Sequence, residues 1–156
     1  MNNIILTGIG GYLPENIIKN DELNKSLNTN DEWIRKRTGI TQRYISSDNE
    51  TTSYMGKVAS EKAIKNAMID PKDIDLIIVA TSTPDLTFPS SAVKIQSLLG
   101  IKDCTSFDIQ AVCAGFVYAL NIAESMMLSR KFNKALVIGS EVFSKILDWQ
   151  DRSTCV

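Results

Sequence analysis

Cys113 is the residue in this sequence best placed to do chemistry. It lies in Asp108-Ile109-Gln110-Ala111-Val112-Cys113-Ala114-Gly115-Phe116, where two unlike segments meet. Cys104 to Gln110 is a short apolar stretch of strand length. In Ala114 to Leu128, apolar residues cover nearly every side of a helical wheel, the pattern of a helix buried all round. A thiol at a strand-to-helix junction faces the first-turn N–H groups of the helix, which favours thiolate over thiol and makes a nucleophile. The bland alternative is a small buried apolar side chain, and Cys104 and Cys155 are read that way. At Cys113 the flanking Ala114 and Gly115 leave room beside the sulfur.

A cysteine nucleophile usually works with a base or charge partner, and the sequence contains no histidine. A step that needs an imidazole must therefore borrow it from another chain or from a longer version of this one. The missing histidine and the odd set of three cysteines without C-x-x-C spacing also speak against a zinc site. No metal is expected. A second constellation is Trp33 and Arg37, four residues apart and so on one face of a helix. There an indole and a guanidinium could hold a planar base and a phosphate together. On spacing alone a solvated basic helix end, with a tryptophan anchoring it to the core, is the better reading.

These residues need elements to position them. Ile4 to Ile9 predicts a first strand, ended by Gly10-Gly11 and Pro14. Gly8-Ile9-Gly10 opens like a dinucleotide fingerprint, but the third glycine would fall at Leu13 and Pro14 follows, so a turn accounts for it better. Asn20 or Asp21 caps a short helix. Thr29 or Asn30 caps another that runs through Arg37 and stops at Gly39. Thr41 to Ile45 predicts a short strand and Ser46 to Glu50 a polar turn. A helix from Thr51 or Thr52 carries Met55, Ala59, Ala63 and Ala67 on one stripe, with Val58, Ile64 and Met68 beside it, and Asp70-Pro71 ends it. Ile74 to Ala80 is nearly continuous in apolar residues, as a strand covered on both faces would be. The loop Thr81 to Pro89 leads to a helix from Ser90 or Ser91 through Leu99, bounded by Gly100. After the Cys113 junction, Ala135 to Gly139 predicts another buried strand. Asp148 to Ser153 reads as a polar loop and Thr154-Cys155-Val156 as the opening of a strand. The alternation of strand and helix predicts a mainly parallel α/β sheet.

With 156 residues the chain is about one domain long. Its 17 basic and 18 acidic residues give a formal charge of -1, so no global field recruits nucleic acid or an anionic membrane. No apolar run approaches membrane-spanning length, and Met1-Asn2-Asn3-Ile4 lacks a basic leader. A cytoplasmic protein is expected.

The segments Asp31-Glu32-Trp33-Ile34, Arg37-Thr38-Gly39-Ile40, Phe88-Pro89-Ser90, Ala111-Val112-Cys113-Ala114-Gly115-Phe116 and Asp151-Arg152-Ser153-Thr154, in this order and spacing, closely resemble β-ketoacyl-acyl carrier protein synthase III. The resemblance covers the whole chain and corresponds to the N-terminal half of that enzyme, which has a thiolase-like fold of two related halves. It implies a half-domain over residues 1–156 that breaks off before its last strand. It implies that Cys113 accepts an acetyl or other short acyl group from acyl-CoA. Trp33, Arg37 and Arg152, with Thr29, would hold the coenzyme A nucleotide. Phe88 would lie at a homodimer interface and shape the partner's acyl pocket, and the strand ending near Gln110 would pair with its twin. The family condenses the acyl group with malonyl-acyl carrier protein, losing carbon dioxide, with no separate cofactor. This is the initiating step of type II fatty acid synthesis. A starter-unit synthase of secondary metabolism, a 3-hydroxy-3-methylglutaryl-CoA synthase, and a non-catalytic half acting through association are the alternatives. The Trp33 and Arg-Thr-Gly-Ile pattern favours synthase III.

In the family, a histidine, an asparagine and an oxyanion-hole N–H come from the C-terminal half, and these residues are not in this sequence. One oxyanion-hole donor is worth roughly 3 to 4 kcal/mol of barrier, and groups that act in concert cost several orders of magnitude when lost. An uncovered apolar face should also promote association. The purified 156-residue chain is therefore expected not to release carbon dioxide from malonyl-acyl carrier protein at an enzymatic rate, and not to behave as a monodisperse monomer. A radiometric carbon dioxide assay and light scattering check the two expectations.

Overall fold

The computed structural model of the chain describes residues 4–23, 27–129 and 131–156. In chain order the elements are β1 (Asn16–Lys19), α1 (Asp31–Thr38), β2 (Gln42–Ile45), α2 (Thr52–Ala67), β3 (Leu76–Ala80), α3 (Ser91–Leu98), β4 (Thr105–Ile109), α4 (Gly115–Leu128), β5 (Ala135–Gly139) and α5 (Arg152–Cys155). Short 3-10 turns stand at Asn20–Glu22, Pro71–Asp73, Val112–Ala114 and Phe143–Lys145. The chain forms two compact units, Met1–Tyr12 with Thr51–Glu141 and Leu13–Glu50 with Val142–Val156.

The first unit is built on β3. Its sequence Leu-Ile-Ile-Val-Ala is buried at every position, because β4 and β5 flank it in a parallel sheet of order β4-β3-β5 and helices cover both faces. Side chains alternate across a strand. Ile77 and Val79 therefore pack with Ile64 of α2 and with Ala92 and Ile95 of α3, while Leu76, Ile78 and Ala80 pack with Ala119 and Ala123 of α4. The register sets Ala80 beside Ile109 and Gly139. The three carboxyl ends thus finish level, the place where open parallel sheets bind ligands.

The second unit pairs β1 with β2 antiparallel, Asn16 opposite Ile45 and Lys19 opposite Gln42. Leu23, Leu27, Ile34 and Cys155 form its core, with Ile18, Trp33 and Trp149 packed against them. Buried Asn20 ties the unit together. Its Nδ2 donates to Asp31 Oδ1 at 2.8 Å and to the Ile40 carbonyl at 2.7 Å, and its Oδ1 accepts from Arg43 Nη1 at 2.8 Å. Arg43 Nε also donates to the Cys155 carbonyl at 3.0 Å.

The structure departs from the sequence expectations in several places. Ile4 to Ile9 forms no strand. Instead the backbone of Gly8 and Gly10 presses on α2, where an added Cβ would come within 2.3 Å of the Ala63 carbonyl and 2.1 Å of the Ala59 carbonyl. An apolar, β-branched run becomes a strand only beside a ladder partner, and none of the described residues supplies one. Strand β1 instead forms at Asn16–Lys19, in a stretch with no clear strand pattern. The short helix expected from Asn20 or Asp21 is a single 3-10 turn, and any continuation over 24–26 lies outside the described residues. Helix α4 is not buried all round. Gly115, Ala119 and Ala123 form its buried stripe, and Phe116, Val117, Tyr118 and Leu120 are exposed. Small residues let the helix sit close on the sheet, and an apolar wheel does not reveal which faces a neighbour covers. The segment expected to open a strand, Thr154 to Val156, belongs mostly to α5, whose cap Asp151 accepts from the Ser153 N–H.

Helix α2 ends before Asp70-Pro71, at Ala67, with Met68 as a left-handed cap at φ 54° and ψ 42°. Met68 lies 91% exposed, so its side chain buries nothing to offset the left-handed backbone. A non-glycine residue there costs about 1–2 kcal/mol, against about 0.5–1 kcal/mol of extra chain entropy for glycine. Met68→Gly should therefore raise stability by about 0.5–1 kcal/mol, read as a higher melting temperature.

Candidate active site

Cys113 sits on a tight turn between β4 and α4. Ala111 has φ -147° and ψ 28°, outside the regular basins, and Val112 is left-handed at φ 44°. The Ala114 N–H then donates to the Ala111 carbonyl at 3.0 Å and the Gly115 N–H to the Val112 carbonyl. Helices α1, α2 and α3 start on side-chain caps from Asn30, Thr51 and Ser90, whereas no side chain caps α4. Gly115 is buried, and a Cβ added there would lie 3.2 Å from Ala80 Cβ, so the start of α4 rests on the end of β3. Cys113 itself is exposed. The other cysteines fit the bland reading: Cys155 is buried and Cys104 half-buried, and burial pushes both thiols up.

Three carboxylates fasten the loops around these strand ends. Asp108 accepts the Ser91 and Ala92 N–H groups, each at 2.7 Å, and so ties β4 to the first turn of α3. Glu141 accepts the Ser82 N–H at 2.7 Å and the hydroxyls of Thr81 and Thr83. Asp85 accepts the Ser53 N–H at 3.1 Å, the Ser53 hydroxyl, the Thr51 hydroxyl at 3.1 Å and the Lys94 ammonium at 2.6 Å. The loop from Thr81 to Ser90 is thereby anchored to α2, α3 and the end of β5. It borders an open recess of about 310 Å³, lined among others by Thr81, Leu86, Thr87, Ile109 and Gln110. Phe88 on this loop stands 83% exposed, consistent with a surface role. None of the three acids was singled out from the sequence. Asp108 left a signal, an acid inside the apolar Phe107-Asp108-Ile109, but nothing local names its partners.

In the second unit, the Asn30 side chain caps α1 by accepting the Trp33 N–H at 2.8 Å. Gly39 ends the helix at φ 73°. Asn30 thus fills the cap, and Thr29 does not. The Arg37 guanidinium lies 4.6 Å from the Trp33 ring centroid and that of Arg152, from α5, lies 5.0 Å away. Neither arginine is paired with a carboxylate among the described residues. Arg152 Nη1 also donates to the Asn28 carbonyl at 3.1 Å, and the neighbouring Thr29 hydroxyl is buried without a hydrogen-bond partner. Trp33 packs on the core and also carries two guanidiniums on its ring. Such a group suits a planar base and a phosphate.

The structure therefore assembles Trp33, Arg37, Arg152 and Thr29 in one unit, and Cys113 and Phe88 in the other. Residues 107–156 match the family model described as 3-oxoacyl-[acyl-carrier-protein (ACP)] synthase III. A curated relative from Ehrlichia canis, named beta-ketoacyl-[acyl-carrier-protein] synthase III, is 58% identical over all of this chain and 49% of its own length. The chain belongs to this synthase III family. It spans about half the length of the curated relatives it matches and corresponds to their N-terminal half. The crystal structure of 3-oxoacyl-[acyl-carrier-protein] synthase III from Aquifex aeolicus superposes with a TM-score of 0.91 at 48% identity, over 96% of this chain and 48% of that one. The priming β-ketosynthase of the R1128 polyketide pathway superposes with the same TM-score, 0.91, at 37% identity, over 95% of this chain and 44% of that one. The thiolase-like fold of the synthase III family is thus the fold of this chain. No helix among the described residues is long and apolar enough to cross a membrane.

Burial pushes the Asp85 carboxyl up, but the Lys94 ammonium and the Ser53 hydroxyl and N–H outweigh it, so the group ends below the usual carboxylate range. A depressed carboxyl contributes stability above its unfolded value of about 3.9 and loses it as the pH falls through the lower folded value. Asp85→Asn should cost about 1–3 kcal/mol at neutral pH, with the gap to the parent closing below about pH 4. Urea melts at pH 7 and pH 3 check both parts.

Proposed function

We propose that this chain carries the acyl-accepting and coenzyme A-binding portion of a β-ketoacyl-acyl carrier protein synthase III. The observation that carries the reading is the exposed Cys113, set on a left-handed turn at the uncapped start of α4. The Cys113 sulfur attacks the thioester carbonyl of a short acyl-CoA. The tetrahedral intermediate collapses, the coenzyme A thiol leaves with a proton, and the acyl group stays on Cys113 as a thioester. Malonyl-acyl carrier protein then loses carbon dioxide, and its carbanion attacks that thioester to give β-ketoacyl-acyl carrier protein and free the thiol. The histidine and asparagine that assist this second half-reaction in the family must be supplied from outside this chain, which has no histidine. Trp33, Arg37, Arg152 and Thr29 serve the nucleotide of coenzyme A: the indole stacks on the adenine and the guanidiniums take phosphate.

A homodimer fits the same reading. Strand β4 is at an edge of its sheet and is free to pair with a second copy, and the exposed Phe88 is free to reach that copy. A cytoplasmic location suits acyl-CoA and acyl carrier protein as substrates. A second reading, in which the chain acts as an association half, is favoured by the apolar side chains that α4 leaves exposed.

The test is intact-mass measurement after incubation with acetyl-CoA. One acetyl group on the parent and none on Cys113→Ala is expected, and equal labelling of the two would refute the acyl-acceptor role. Trp33→Ala should weaken coenzyme A binding, read by isothermal titration calorimetry, by about tenfold or more, since a base stacked on an aromatic ring is worth roughly 1–3 kcal/mol.

A further inference from the structure

The cationic groups on Trp33 come from two separate elements. Trp33 and Arg37 lie on α1, and Arg152 is the first residue of α5. Helix α5 is only four residues long, about one turn, and a single turn is not stable by itself. Its placement depends on what holds it from outside. Cys155 is buried with Leu23, Leu27 and Ile34, but apolar contact is non-directional and lets one turn roll on the core. Directional bonds must set the angle at which Arg152 leaves it.

One such bond comes from β2. Arg43 Nε donates to the Cys155 carbonyl at 3.0 Å, and Arg43 Nη1 donates to Asn20 Oδ1 at 2.8 Å. Asn20, 3% exposed, carries the connection on to α1, because its Nδ2 reaches Asp31 at the start of that helix and the Ile40 carbonyl just past its end. One guanidinium fork thus joins the helix of Trp33 and Arg37 to the helix of Arg152. Arg43 itself presents nothing to a ligand. Two of its nitrogens are engaged, Nη2 is buried without a hydrogen-bond partner, and no carboxylate pairs with it among the described residues.

We infer that Arg43 is a positioning residue for coenzyme A: by bridging Asn20 and the Cys155 carbonyl it fixes α5 against α1 and so holds the Arg152 guanidinium over Trp33. The inference rests on the reading of Trp33, Arg37 and Arg152 as the coenzyme A nucleotide site. The bridge needs the planar arginine fork, whose donors point in fixed directions, whereas a lysine ammonium is a point charge that does not span both acceptors. A residue that acts only through Arg152 also has a definite signature. Its loss matters while Arg152 is present and matters little once Arg152 is gone, because effects exerted through one shared interaction do not add.

The experiment titrates coenzyme A calorimetrically into the full chain, into Arg43→Met, Arg43→Lys and Arg152→Ala, and into each Arg43 variant combined with Arg152→Ala. Thermal melts of every variant keep each titration below its melting transition. Arg43→Met and Arg43→Lys should each weaken binding by about tenfold, the order of one hydrogen bond to a charged group. With Arg152 already alanine, the same changes should weaken it by less than about twofold, the limit within which independent effects add. An equal loss in both backgrounds would overturn the inference, since a general loosening of the unit adds to the loss of Arg152. Parent affinity in Arg43→Lys would overturn it as well, and that variant decides the matter if Arg43→Met shows no melting transition. Affinity unchanged by both Trp33→Ala and Arg152→Ala would instead sink the coenzyme A reading itself.

Discussion

The complete burial of β3 is the constraint from which the rest of the Cys113 site follows. Leu76 to Ala80 can be covered on both faces only if helices with small contact residues lie close on each side. On one face this brings Gly56 of α2 against Ile95 of α3, where an added Cβ would meet the isoleucine at 2.6 Å. On the other it brings Gly115 of α4 onto Ala80. Once the first residue of α4 is pinned to the last residue of β3, and β4 ends level with β3, the few residues between Ile109 and Gly115 have little freedom. They must turn sharply, and Val112 pays with a left-handed backbone. The exposure of Cys113 follows from how a sheet is packed several residues away.

Charge is used sparingly and locally in the same unit. Asp85, Asp108 and Glu141 each accept N–H groups from an adjoining loop or helix start, and Asp85 adds an ammonium from Lys94. The side chain of Asp85 is almost fully enclosed, which a carboxylate tolerates only when so many donors reach it. The acids stiffen the loop that carries Leu86 and Phe88 next to the recess. The second unit uses charge differently. There Arg37 and Arg152 share one indole, and neither is paired with a carboxylate among the described residues.

What was legible in the sequence was local. The caps Asn30, Thr51 and Ser90, the stop at Gly39 and the continuous apolar run of β3 all depend on neighbours a few residues away; the stop and the run stand where the sequence places them, and each cap is one of the two adjacent residues it offers. The failures share one cause, dependence on a distant partner. Ile4 to Ile9 has the composition of a strand, but a strand is defined by its ladder. The apolar wheel of α4 is real, but its coverage is set by what lies across from it. Arg152 reaches Trp33 from the far end of the sequence, so spacing alone favoured a core anchor over a clamp. The family resemblance brought the arginine in, and the geometry placed it. The left-handed Val112 had no signal, because valine reads as a strand former.

The claim that Cys113 accepts an acyl group is tested most directly by its alkylation with iodoacetamide before and after incubation with acetyl-CoA, and again after hydroxylamine, which cleaves thioesters. Acetyl-CoA should block alkylation of Cys113 and hydroxylamine should restore it. Alkylation at the untreated rate after acetyl-CoA would contradict the acyl-acceptor role.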